Sequence, residues 1–269
     1  MALAAAKPAV SDHLIAQDWA GYSGAEHATW RHLFEREQRI LEGRACDEFL
    51  TGIDALDVTA AGIPDFKRLN EILKARSGWE IAAVAGLVPD DVFFALMADR
   101  KFPSTCFIRR PDQLDYIEEP DVFHDVFGHV PLLVHPVFGD YMQAYGAGGL
   151  KALRLGSLPR LARLYWYTVE FGLIRTAAGL RIYGAGIVSS KGESIHALES
   201  PKPKRIGFDL LRIMRTEYRI DDYQDGYFVI DSFDQLFDAT RPDFTKHYET
   251  LAALSDIAPG DVVAGDKLM

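Results

Sequence analysis

The sequence predicts a mostly α-helical protein with a few short β-strands, built as a single domain. Three observations support this prediction. Apolar residues recur at helical spacing in several segments, whereas only two short runs are rich in β-branched and aromatic residues. The 269 residues also contain no internal repeat and no long low-complexity linker that would divide them into two units.

Three helices are predicted in the first part of the chain. Residues 29–42 place apolar side chains among charged ones at amphipathic spacing. Residues 63–77 repeat this pattern, with Pro64 in the first helical turn, where its missing N–H costs nothing. Asp90 and Asp91 favour a third helix start, because acidic residues are stabilised at the positive end of the helix dipole.

The two runs of β-branched and aromatic residues are residues 105–109 and 227–231, and both are predicted strands. Both ends of the chain have the composition of loose tails. Residues 1–10 are rich in alanine, and the segment from about 256 to 269 contains Pro259 and two glycines. We therefore expect the ordered core to lie between these two tails.

Charge and cysteine content exclude several classes of protein. A formal charge of −10 and a pI near 5.3 disfavour nucleic acid binding, which needs a basic face. No apolar run is long enough to span a membrane, and residues 1–10 lack the basic-then-apolar order of a signal peptide. Cys46 and Cys106 are too few for a disulfide framework and lack metal-site spacing. We expect a cytoplasmic protein with no membrane or nucleic acid partner.

Two histidines lie in a segment where a helix is predicted to end. On a continuous α-helix, His124 and His129 would point about 140° apart, because five residues exceed one turn. Gly128 and Pro131 are predicted to stop the helix, with Gly128 able to adopt a left-handed cap conformation. Such a turn would bring His129 back toward His124. Two unrelated histidines remain an alternative to a metal site at this point.

A lone carboxylate in an aromatic segment favours the metal site. Glu170 lies in residues 164–174, a run in which the neighbouring helical positions are apolar or aromatic. An ionised carboxylate on such a face is costly unless it is paired, protonated or bound to a metal. Arg163 and Arg175 are the alternative partners, but they are seven and five residues away. A metal ion is therefore the preferred partner for Glu170.

Two imidazoles and one carboxylate are the ligand set of non-haem iron(II) oxygenases, which keep the remaining coordination positions open. The same ligand types also hold catalytic zinc in hydrolases, so ligand type alone leaves zinc possible. The spacing of His124 and His129 differs from the His-Glu-x-x-His pattern of zinc proteases, and Asp125 directly follows the first histidine. Iron is therefore the favoured metal.

Three motifs in order resemble the pterin-dependent aromatic amino acid hydroxylases. They are His124-Asp125-x-x-Gly128-His129-x-Pro131, then Trp166-Tyr167-Thr168-Val169-Glu170-Phe171-Gly172, then Tyr183-Gly184-Ala185-Gly186-Ile187-Val188-Ser189-Ser190-x-Gly192-Glu193. The resemblance covers about residues 19–251. It implies the single-domain catalytic fold of that family over residues 1–269, without the regulatory domain or tetramerisation helix of the animal members. A monomer is therefore expected.

The resemblance also implies an activity and its cofactors. The expected reaction is hydroxylation of L-phenylalanine to L-tyrosine, the first step of phenylalanine catabolism, with O2, non-haem Fe(II) and a tetrahydrobiopterin-type cofactor. A tyrosine or tryptophan hydroxylase of the same family is an alternative, as is another iron oxygenase with two histidines and one carboxylate. The iron ligands implied by the resemblance are His124, His129 and Glu170.

The family motifs assign further residues by position. The implied substrate-binding residues are Arg109, Asp121, Trp166, Phe171, Gly186, Ser189 and Glu193. Among these, Arg109 and Ser189 would meet the substrate carboxylate, which suits the planar fork of arginine. The implied cofactor-binding residues are Gly86, Leu87, Val88, Phe93 and Asp125. Residues expected near the site are Tyr116, Tyr165 and Val229, and the position that matches Val229 is apolar in phenylalanine enzymes of the family.

The chain departs locally from the animal members of the family. Ile117 stands where animal members carry threonine, and Pro89-Asp90 replaces a serine pair, so details of hydrogen bonding differ.

A 2-oxoglutarate-dependent oxygenase would share the metal ligands, but its jelly-roll fold needs many short strands. A binding protein with a structural metal would need a fourth ligand. His135 is the nearest candidate, but it precedes Pro136 in an extended stretch and is expected to be a surface or core histidine.

Overall fold

The computed structural model describes residues 9–241 and 243–269. Its α-helices are α1 (Gly24–Leu41), α2 (Asp47–Ala55), α3 (Phe66–Ser77), α4 (Asp90–Ala98), α5 (Pro136–Arg154), α6 (Leu158–Tyr165), α7 (Ala185–Val188), α8 (Lys191–Glu199), α9 (Leu210–Arg215), α10 (Phe233–Thr240) and α11 (Thr245–Ala252). Its strands are β1 (Glu80–Val84), β2 (Lys101–Thr105), β3 (Gly172–Thr176), β4 (Gly179–Ile182), β5 (Lys204–Gly207) and β6 (Gly226–Ile230). The predicted fold class, mostly α with a few short strands, is confirmed.

Shorter helical turns connect these elements. The 3₁₀-helices are Val10–His13, Trp19–Gly21, Pro111–Gln113 and Val130–Val134, and the π-helices are Phe123–His129 and Trp166–Glu170. Strands β1 and β2 form a parallel pair, with Glu80 opposite Lys101. The other four strands form a sheet in the order β4-β3-β6-β5, in which only the β3–β4 pair is antiparallel. The π-helix Trp166–Glu170 runs directly into β3, which ties this sheet to the candidate metal site.

The predicted amphipathic helix at residues 29–42 is confirmed as α1, although it begins earlier. Ser23 caps it, because the Ser23 hydroxyl accepts from the Glu26 N–H while Glu26 accepts from the Ser23 N–H. The buried side of α1 includes Trp30, Leu33 and Phe34. The ring of Trp30 packs edge-on against Phe123 at 5.3 Å, so α1 supports the π-helix that carries both histidines.

The other two predicted helices are also present. Helix α4 begins at Asp90, as predicted, and helix α3 ends at Ser77. The position of Pro64 was predicted wrongly, because α3 begins only at Phe66. The Asp65 side chain accepts from the Lys67 N–H at 2.9 Å and so starts the helix after Pro64.

One of the two predicted strands is correct. Residues 227–231 match β6, but β2 ends at Thr105, so the strand predicted for residues 105–109 is wrong. Beyond Thr105 the backbone leaves the sheet and bonds to the segment before the first π-helix. The Val122 N–H donates to the Phe107 carbonyl, and the Arg109 N–H donates to Asp121, both at 2.8 Å. Hydrogen bonds to the segment that precedes the first π-helix therefore determine the backbone conformation here, and strand pairing does not.

The segment predicted as a loose C-terminal tail is packed onto the fold. Asp266 forms a buried ion pair with Arg212, at 2.9 Å between Oδ1 and Nε. The Gly207 N–H also donates to the Lys267 carbonyl at 2.8 Å, which extends the edge of β5. Sequence patterns missed this because the segment is tied down by contacts distant in sequence. Of the tail predicted at residues 1–10, residues 1–8 lie outside the described residues.

Helices α4 and α5 pack closely because glycines of α5 face α4. A Cβ atom at Gly149 would lie 1.9 Å from the ring of Phe94, so only glycine fits there. The largest apolar cluster of buried side chains includes residues from Trp30 in α1 to Leu236 in α10. None of the helices in the described part of the chain combines the length and apolar character that crossing a bilayer requires.

Candidate active site

The two histidines of the first motif face each other because their segment is a π-helix. Residues Phe123–His129 form i to i+5 backbone hydrogen bonds, so residues five apart lie about one turn apart on the same side. The predicted helix end at Gly128 is wrong, because the π-helix continues to His129. The φ angle of Gly128 is not positive, so this glycine does not adopt the left-handed cap conformation. A Cβ atom at Gly128 would lie 3.1 Å from Ala185, so this glycine permits close packing of α7.

Glu170 ends the second π-helix and meets both histidines. Its Oε1 lies 3.2 Å from Nε2 of His129, and its Oε2 lies 3.7 Å from Nε2 of His124. The arginines considered as alternative partners bind elsewhere: Arg163 pairs with Asp256 and Arg175 pairs with Asp231. Glu170 is therefore directed at the two imidazoles, as the sequence predicts.

The three side chains fit one metal ion. The two Nε2 atoms of His124 and His129 are 3.2 Å apart, and the ligand atoms of all three residues lie within 4.8 Å of one another. Ligands at right angles, each about 2.1 Å from a metal, lie about 3 Å apart. Two imidazole nitrogens and a carboxylate oxygen are a donor set suited to iron(II), and three ligands leave coordination positions open.

Hydrogen bonds fix which nitrogen of His124 is free. The Ser189 hydroxyl donates to the Ala185 carbonyl at 2.8 Å, and the same oxygen lies 2.9 Å from Nδ1 of His124. Since the hydroxyl has only one hydrogen, it accepts from Nδ1–H of His124. The lone pair of His124 Nε2 is then directed at Glu170 and His129, where a metal would bind. Ser189 therefore orients a ligand and selects its tautomer.

Burial controls the charges at this site. Desolvation lowers the pKa of His124 to about 4, although Glu170 opposes this, so the imidazole is neutral and ready to bind a metal. Burial alone would raise the pKa of Glu170, but the facing imidazole of His129, followed by that of His124, outweighs it and lowers the pKa. Glu170 is therefore an ionised ligand beside a neutral His124.

The larger of two cavities beside these ligands has a volume of about 580 Å³. Most of the predicted substrate-binding residues line it: Arg109, Trp166, Phe171, Gly186, Ser189 and Glu193. His124 and Glu170 also line it, and Tyr116 lies at its rim with 66% of its surface exposed. The cavity therefore opens toward solvent at one side and reaches the ligand cluster at the other.

Asp121 lies behind Arg109 and holds it in place. Its carboxylate accepts from Nε and Nη2 of Arg109 at 2.9 and 2.8 Å, and from the backbone N–H of His124 at 3.0 Å. Burial alone would raise the pKa of Asp121, but hydrogen bonds from Arg109 lower it. Asp121 is fully buried and thus supports Arg109 without reaching the larger cavity.

Gln224 is a residue of this site that the sequence analysis missed. Its side-chain carbonyl accepts from Nε1 of Trp166 at 2.9 Å, and its backbone N–H donates to Glu193 at 3.2 Å. Tyr227 donates a second hydrogen bond to Glu193, and Tyr218 stacks on Trp166 at 4.3 Å. Gln224 is 3% exposed, lines the larger cavity itself and links two other lining residues, Trp166 and Glu193. Only the tryptophan–glutamine pairing of the folded chain reveals this role.

A smaller cavity, of about 170 Å³, also lies beside the three candidate ligands. Every predicted cofactor-binding residue lines it: Gly86, Leu87, Val88, Phe93 and Asp125. His124, His129 and Glu170 also line this cavity, together with Tyr165. The ring of Tyr165 lies parallel to that of His129 at 6.2 Å. Of the three candidate metal ligands, His124 and Glu170 therefore line both cavities, and His129 lines the smaller one.

Asp125 is held at the wall of the smaller cavity by Thr105. Its Oδ2 accepts from the Thr105 N–H at 2.8 Å and from the Thr105 hydroxyl at 3.0 Å. Burial raises the pKa of Asp125 to about 7, although these hydrogen bonds oppose the shift. Thr105 was not identified from the sequence as a site residue.

Val229, like Asp121, is a predicted site residue that lines neither cavity. It lies in β6 with 1% of its surface exposed and belongs to the main apolar cluster.

His135, considered as a fourth ligand, accepts from the Phe138 N–H at 3.3 Å and packs against Phe233. In the described part of the chain, His124, His129 and Glu170 form the only group of three ligand side chains that could hold a metal ion.

Comparisons with characterised proteins agree with this geometry. A family model described as biopterin-dependent aromatic amino acid hydroxylase matches residues 16–252. The phenylalanine-4-hydroxylase of Ralstonia nicotianae is 64% identical over 258 residues, which cover 96% of this chain and 82% of that protein. The phenylalanine-4-hydroxylase of Caulobacter vibrioides is 62% identical, with 96% and 88% covered.

Solved structures are similar over nearly the whole chain. The crystal structure of phenylalanine hydroxylase from Chromobacterium violaceum with bound oxidized Fe(III) has a TM-score of 0.93 and 60% identity, and covers 96% of this chain and 94% of that one. The cobalt-bound structure of the same enzyme has a TM-score of 0.94 and 59% identity, with 96% and 93% covered. With the family model and these relatives, the chain belongs to the biopterin-dependent aromatic amino acid hydroxylases.

Proposed function

We propose that this chain hydroxylates L-phenylalanine to L-tyrosine at an iron(II) bound by His124, His129 and Glu170. The observation that carries the proposal is that His124 and Glu170 line two cavities at once, while His129 lines the smaller one. One cavity would hold the amino acid and the other the tetrahydropterin. When bound, iron and the reduced pterin together supply the activation of O2 that aromatic hydroxylation requires. The relatives named above are phenylalanine-4-hydroxylases, which supports phenylalanine as the substrate.

Arg109 would bind the carboxylate of the amino acid. Asp121 takes the Nε hydrogen and one Nη2 hydrogen of its guanidinium, and the Leu114 carbonyl lies 3.5 Å from Nη1. Two of the five guanidinium hydrogens then remain for a ligand, and Arg109 lines the larger cavity. The side chain is 5% exposed, so water competes weakly for these donors. This arrangement would fix one end of the substrate.

Trp166 and Phe171 would hold the aromatic ring of the substrate beside the metal ligands. Their own rings lie 4.7 Å apart at the wall of the larger cavity. A Cβ atom at Gly186 would lie 2.9 Å from the Phe171 ring and 3.2 Å from Oε2 of Glu170. Glycine at this position therefore leaves space for the substrate ring next to the iron ligand. With Arg109 at the other end, the ring is positioned near the reaction centre.

The tetrahydropterin would bind in the smaller cavity. Phe93 offers an aromatic face there, and stacking on such a face contributes roughly 0.5–1.5 kcal/mol beyond burial. A Cβ atom at Gly86 would lie 2.9 Å from the carboxylate of Glu119, so the loop needs glycine to approach that closely. Asp125 lies at the same wall and accepts from Thr105, which leaves its second oxygen for a hydrogen-bond donor of the pterin.

Two alternatives are less well supported. A 2-oxoglutarate-dependent oxygenase would have the same ligand types, but its jelly roll is unlike the mostly helical fold described above. Tyrosine or tryptophan hydroxylation would use the same iron and pterin. The named relatives favour phenylalanine, but a hydrophobic pocket rejects an added hydroxyl only weakly. Some turnover of tyrosine and tryptophan is therefore compatible with the proposal.

The decisive experiment measures oxygen uptake and tyrosine formation by the iron-loaded protein. Tetrahydrobiopterin and 2-oxoglutarate are supplied in turn, with phenylalanine, tyrosine or tryptophan as the substrate. We expect tyrosine from phenylalanine only with the pterin, and about one iron per chain in the active protein. His124→Ala and Glu170→Gln should lose both iron and activity, and Phe93→Ala should weaken pterin binding with iron retained. Tyrosine formed with 2-oxoglutarate alone would refute the proposal.

We also infer a monomer with one catalytic domain, in the cytoplasm. Residues of a single chain line both cavities, and the main apolar cluster extends from α1 to α10. Cys46 and Cys106 are both free, which suits a reducing compartment. Light scattering at assay concentrations tests the oligomeric state, and a dimer or tetramer would contradict this inference.

A further inference from the structure

Glu37 of α1 is a buried carboxylate that lines neither cavity. Its side chain is completely buried, and its Oε1 accepts from Nε of Arg36 at 3.0 Å. Its Oε2 is buried and has no hydrogen-bond partner within the described part of the chain. A buried charge with an unpaired oxygen is costly to the fold. An apolar residue would be the more stable choice, which indicates that this carboxylate has a function.

Arg36 connects Glu37 to the wall of the larger cavity. Its Nη1 donates to Oδ1 of Asp115 at 2.7 Å, and its Nη2 donates to the Leu114 carbonyl at 3.0 Å. Every nitrogen of its guanidinium is therefore used, since Nε is bound to Glu37. Asp115 lines the larger cavity. Arg36 thus fastens a cavity-lining segment to helix α1.

The same carbonyl links this arrangement to the proposed substrate ligand. The Leu114 carbonyl lies 3.0 Å from Nη2 of Arg36 and 3.5 Å from Nη1 of Arg109. Two guanidinium groups therefore share one acceptor. Tyr116 and Ile117, which follow directly, also line the larger cavity. A shift of Leu114 would change both the hydrogen bonding of Arg109 and the position of this wall.

We propose that Arg36, oriented by Glu37, is a positioning residue for the amino acid substrate. It holds the Leu114 carbonyl and Asp115 against α1, and so sets the guanidinium of Arg109 and the wall at Tyr116 and Ile117. The inference rests on the proposed function of Arg109 as the carboxylate ligand. Because Arg36 contacts neither cavity, its effect is on substrate binding through Arg109, and the metal and pterin are unaffected.

The free-energy cost of burying Glu37 allows a test that separates a functional role of this residue from a purely structural one. Burial raises the pKa of Glu37 to about 7, although Arg36, Arg109 and Lys191 favour its charged form. Above that pH the ionised carboxylate lowers the free energy of unfolding. Glu37→Gln should therefore stabilise the protein at pH 8 while it weakens the hold on Arg36. Stability and substrate binding are expected to change in opposite directions.

The experiment uses the full-length, iron-loaded protein with saturating tetrahydrobiopterin. For Arg36→Met and for Glu37→Gln we expect the KM for phenylalanine to rise about three- to tenfold, the equivalent of one weakened hydrogen bond. The kcat and the KM for the pterin should stay within about twofold of the wild type. Glu37→Gln should also have a higher Tm at pH 8. Arg39→Met, an exposed arginine of the same helix, is the matched control and should change none of these values.

Three results would overturn the inference. One is a KM for phenylalanine within twofold of the wild type in both variants. Another is a fall of kcat and Tm with KM unchanged, which indicates general damage to the fold. The third is a lower Tm at pH 8 for Glu37→Gln. If the wild type itself forms no tyrosine, the proposed function fails, and the inference fails with it because no substrate carboxylate would reach Arg109.

Discussion

The Ser189 hydroxyl accepts a hydrogen bond from Nδ1 of His124 because it donates its own hydrogen to the Ala185 carbonyl. The three atoms form a directed chain from α7 to the candidate iron ligand. A serine in a glycine-rich loop thereby determines which nitrogen of the imidazole faces Glu170. The sequence analysis assigned Ser189 to the substrate carboxylate, and the structure gives it this second contact.

Ser189→Ala should weaken metal binding. Without the hydroxyl, Nδ1–H of His124 loses its partner in a buried place, and the ring is free to rotate or change tautomer. Loss of such an outer contact typically costs about 10- to 100-fold in metal affinity. Competition for iron(II) with a chelator of known affinity measures this. Ser157→Ala, remote from both cavities, is the control, and equal iron affinity in the two variants would contradict the assignment.

Arg109→Ala should lower kcat/KM for phenylalanine by roughly ten- to a hundredfold. A charge-assisted hydrogen bond contributes about 1.5–3 kcal/mol, and Asp121 would also lose its buried partner. The neighbouring Arg110 is the matched control, because it is exposed and pairs with the exposed Asp112. Steady-state kinetics of both variants provide the comparison. If Arg110→Ala is as impaired as Arg109→Ala, or if both are normal, another group binds the carboxylate.

Gln224→Leu should impair the placement of the substrate ring. The variant leaves Nε1 of Trp166 without its acceptor, and an unpaired buried donor costs about 1–3 kcal/mol. We expect kcat/KM for phenylalanine to fall roughly tenfold and more pterin to be oxidised per tyrosine formed, because the ring is less well held. Iron content should be unchanged. Gln38→Leu, on an exposed face of α1, is the control. Unchanged coupling in Gln224→Leu would rule out this role.

The residues that the structure brings together at the site are those that the sequence analysis selected by side-chain chemistry. A carboxylate in an apolar run needs a partner, which predicts that Glu170 lies beside other metal-binding side chains, and the structure places it beside His124 and His129. The predicted route by which His129 reaches His124 was wrong, because a period of 3.6 residues does not reveal a π-helix. A glycine in the sequence is compatible with a left-handed cap or with the close approach of another segment, so Gly128 was predicted to be a cap although it permits close packing.

The parts that the sequence could not predict depend on contacts between distant segments. Gln224 is ordinary in its local sequence, and only the fold brings it to Trp166, 58 positions away. Arg36 and Leu114 are likewise joined across 78 positions. The C-terminal segment has the composition of a tail, yet the buried pair of Arg212 and Asp266 fastens it. Spacing rules describe neighbours along a helix or strand and carry no information on such pairs.

Glu37 should make the stability of the wild type depend on pH in a way that Glu37→Gln does not. Its pKa is about 7 in the folded protein and 4.5 as the ordinary value. Because the folded pKa is raised, the folded state binds the proton more tightly than the unfolded state. The contribution to stability is complete below about pH 4.5 and is lost as the pH rises through 7.

Glutamine resembles the protonated form at every pH. The free energy of unfolding of Glu37→Gln relative to the wild type should therefore increase between pH 5 and pH 8, by at most about 3 kcal/mol for a shift of this size. The charged groups that act on Glu37 are Arg36, Arg109 and Lys191, and all three favour its ionised form. Titration of other groups is common to both proteins and cancels in the difference.

Urea unfolding of both proteins at pH 5, 6, 7 and 8 measures this difference. Glu35→Gln is the matched control, because Glu35 is an exposed glutamate two positions away on the same helix, and its stability relative to the wild type should not change with pH. The contrary result is a difference in free energy of unfolding between Glu37→Gln and the wild type that stays constant or decreases toward pH 8. Either behaviour would show that the buried carboxylate does not destabilise the protein. In that case Glu37 would need no functional reason to be retained beside Arg36.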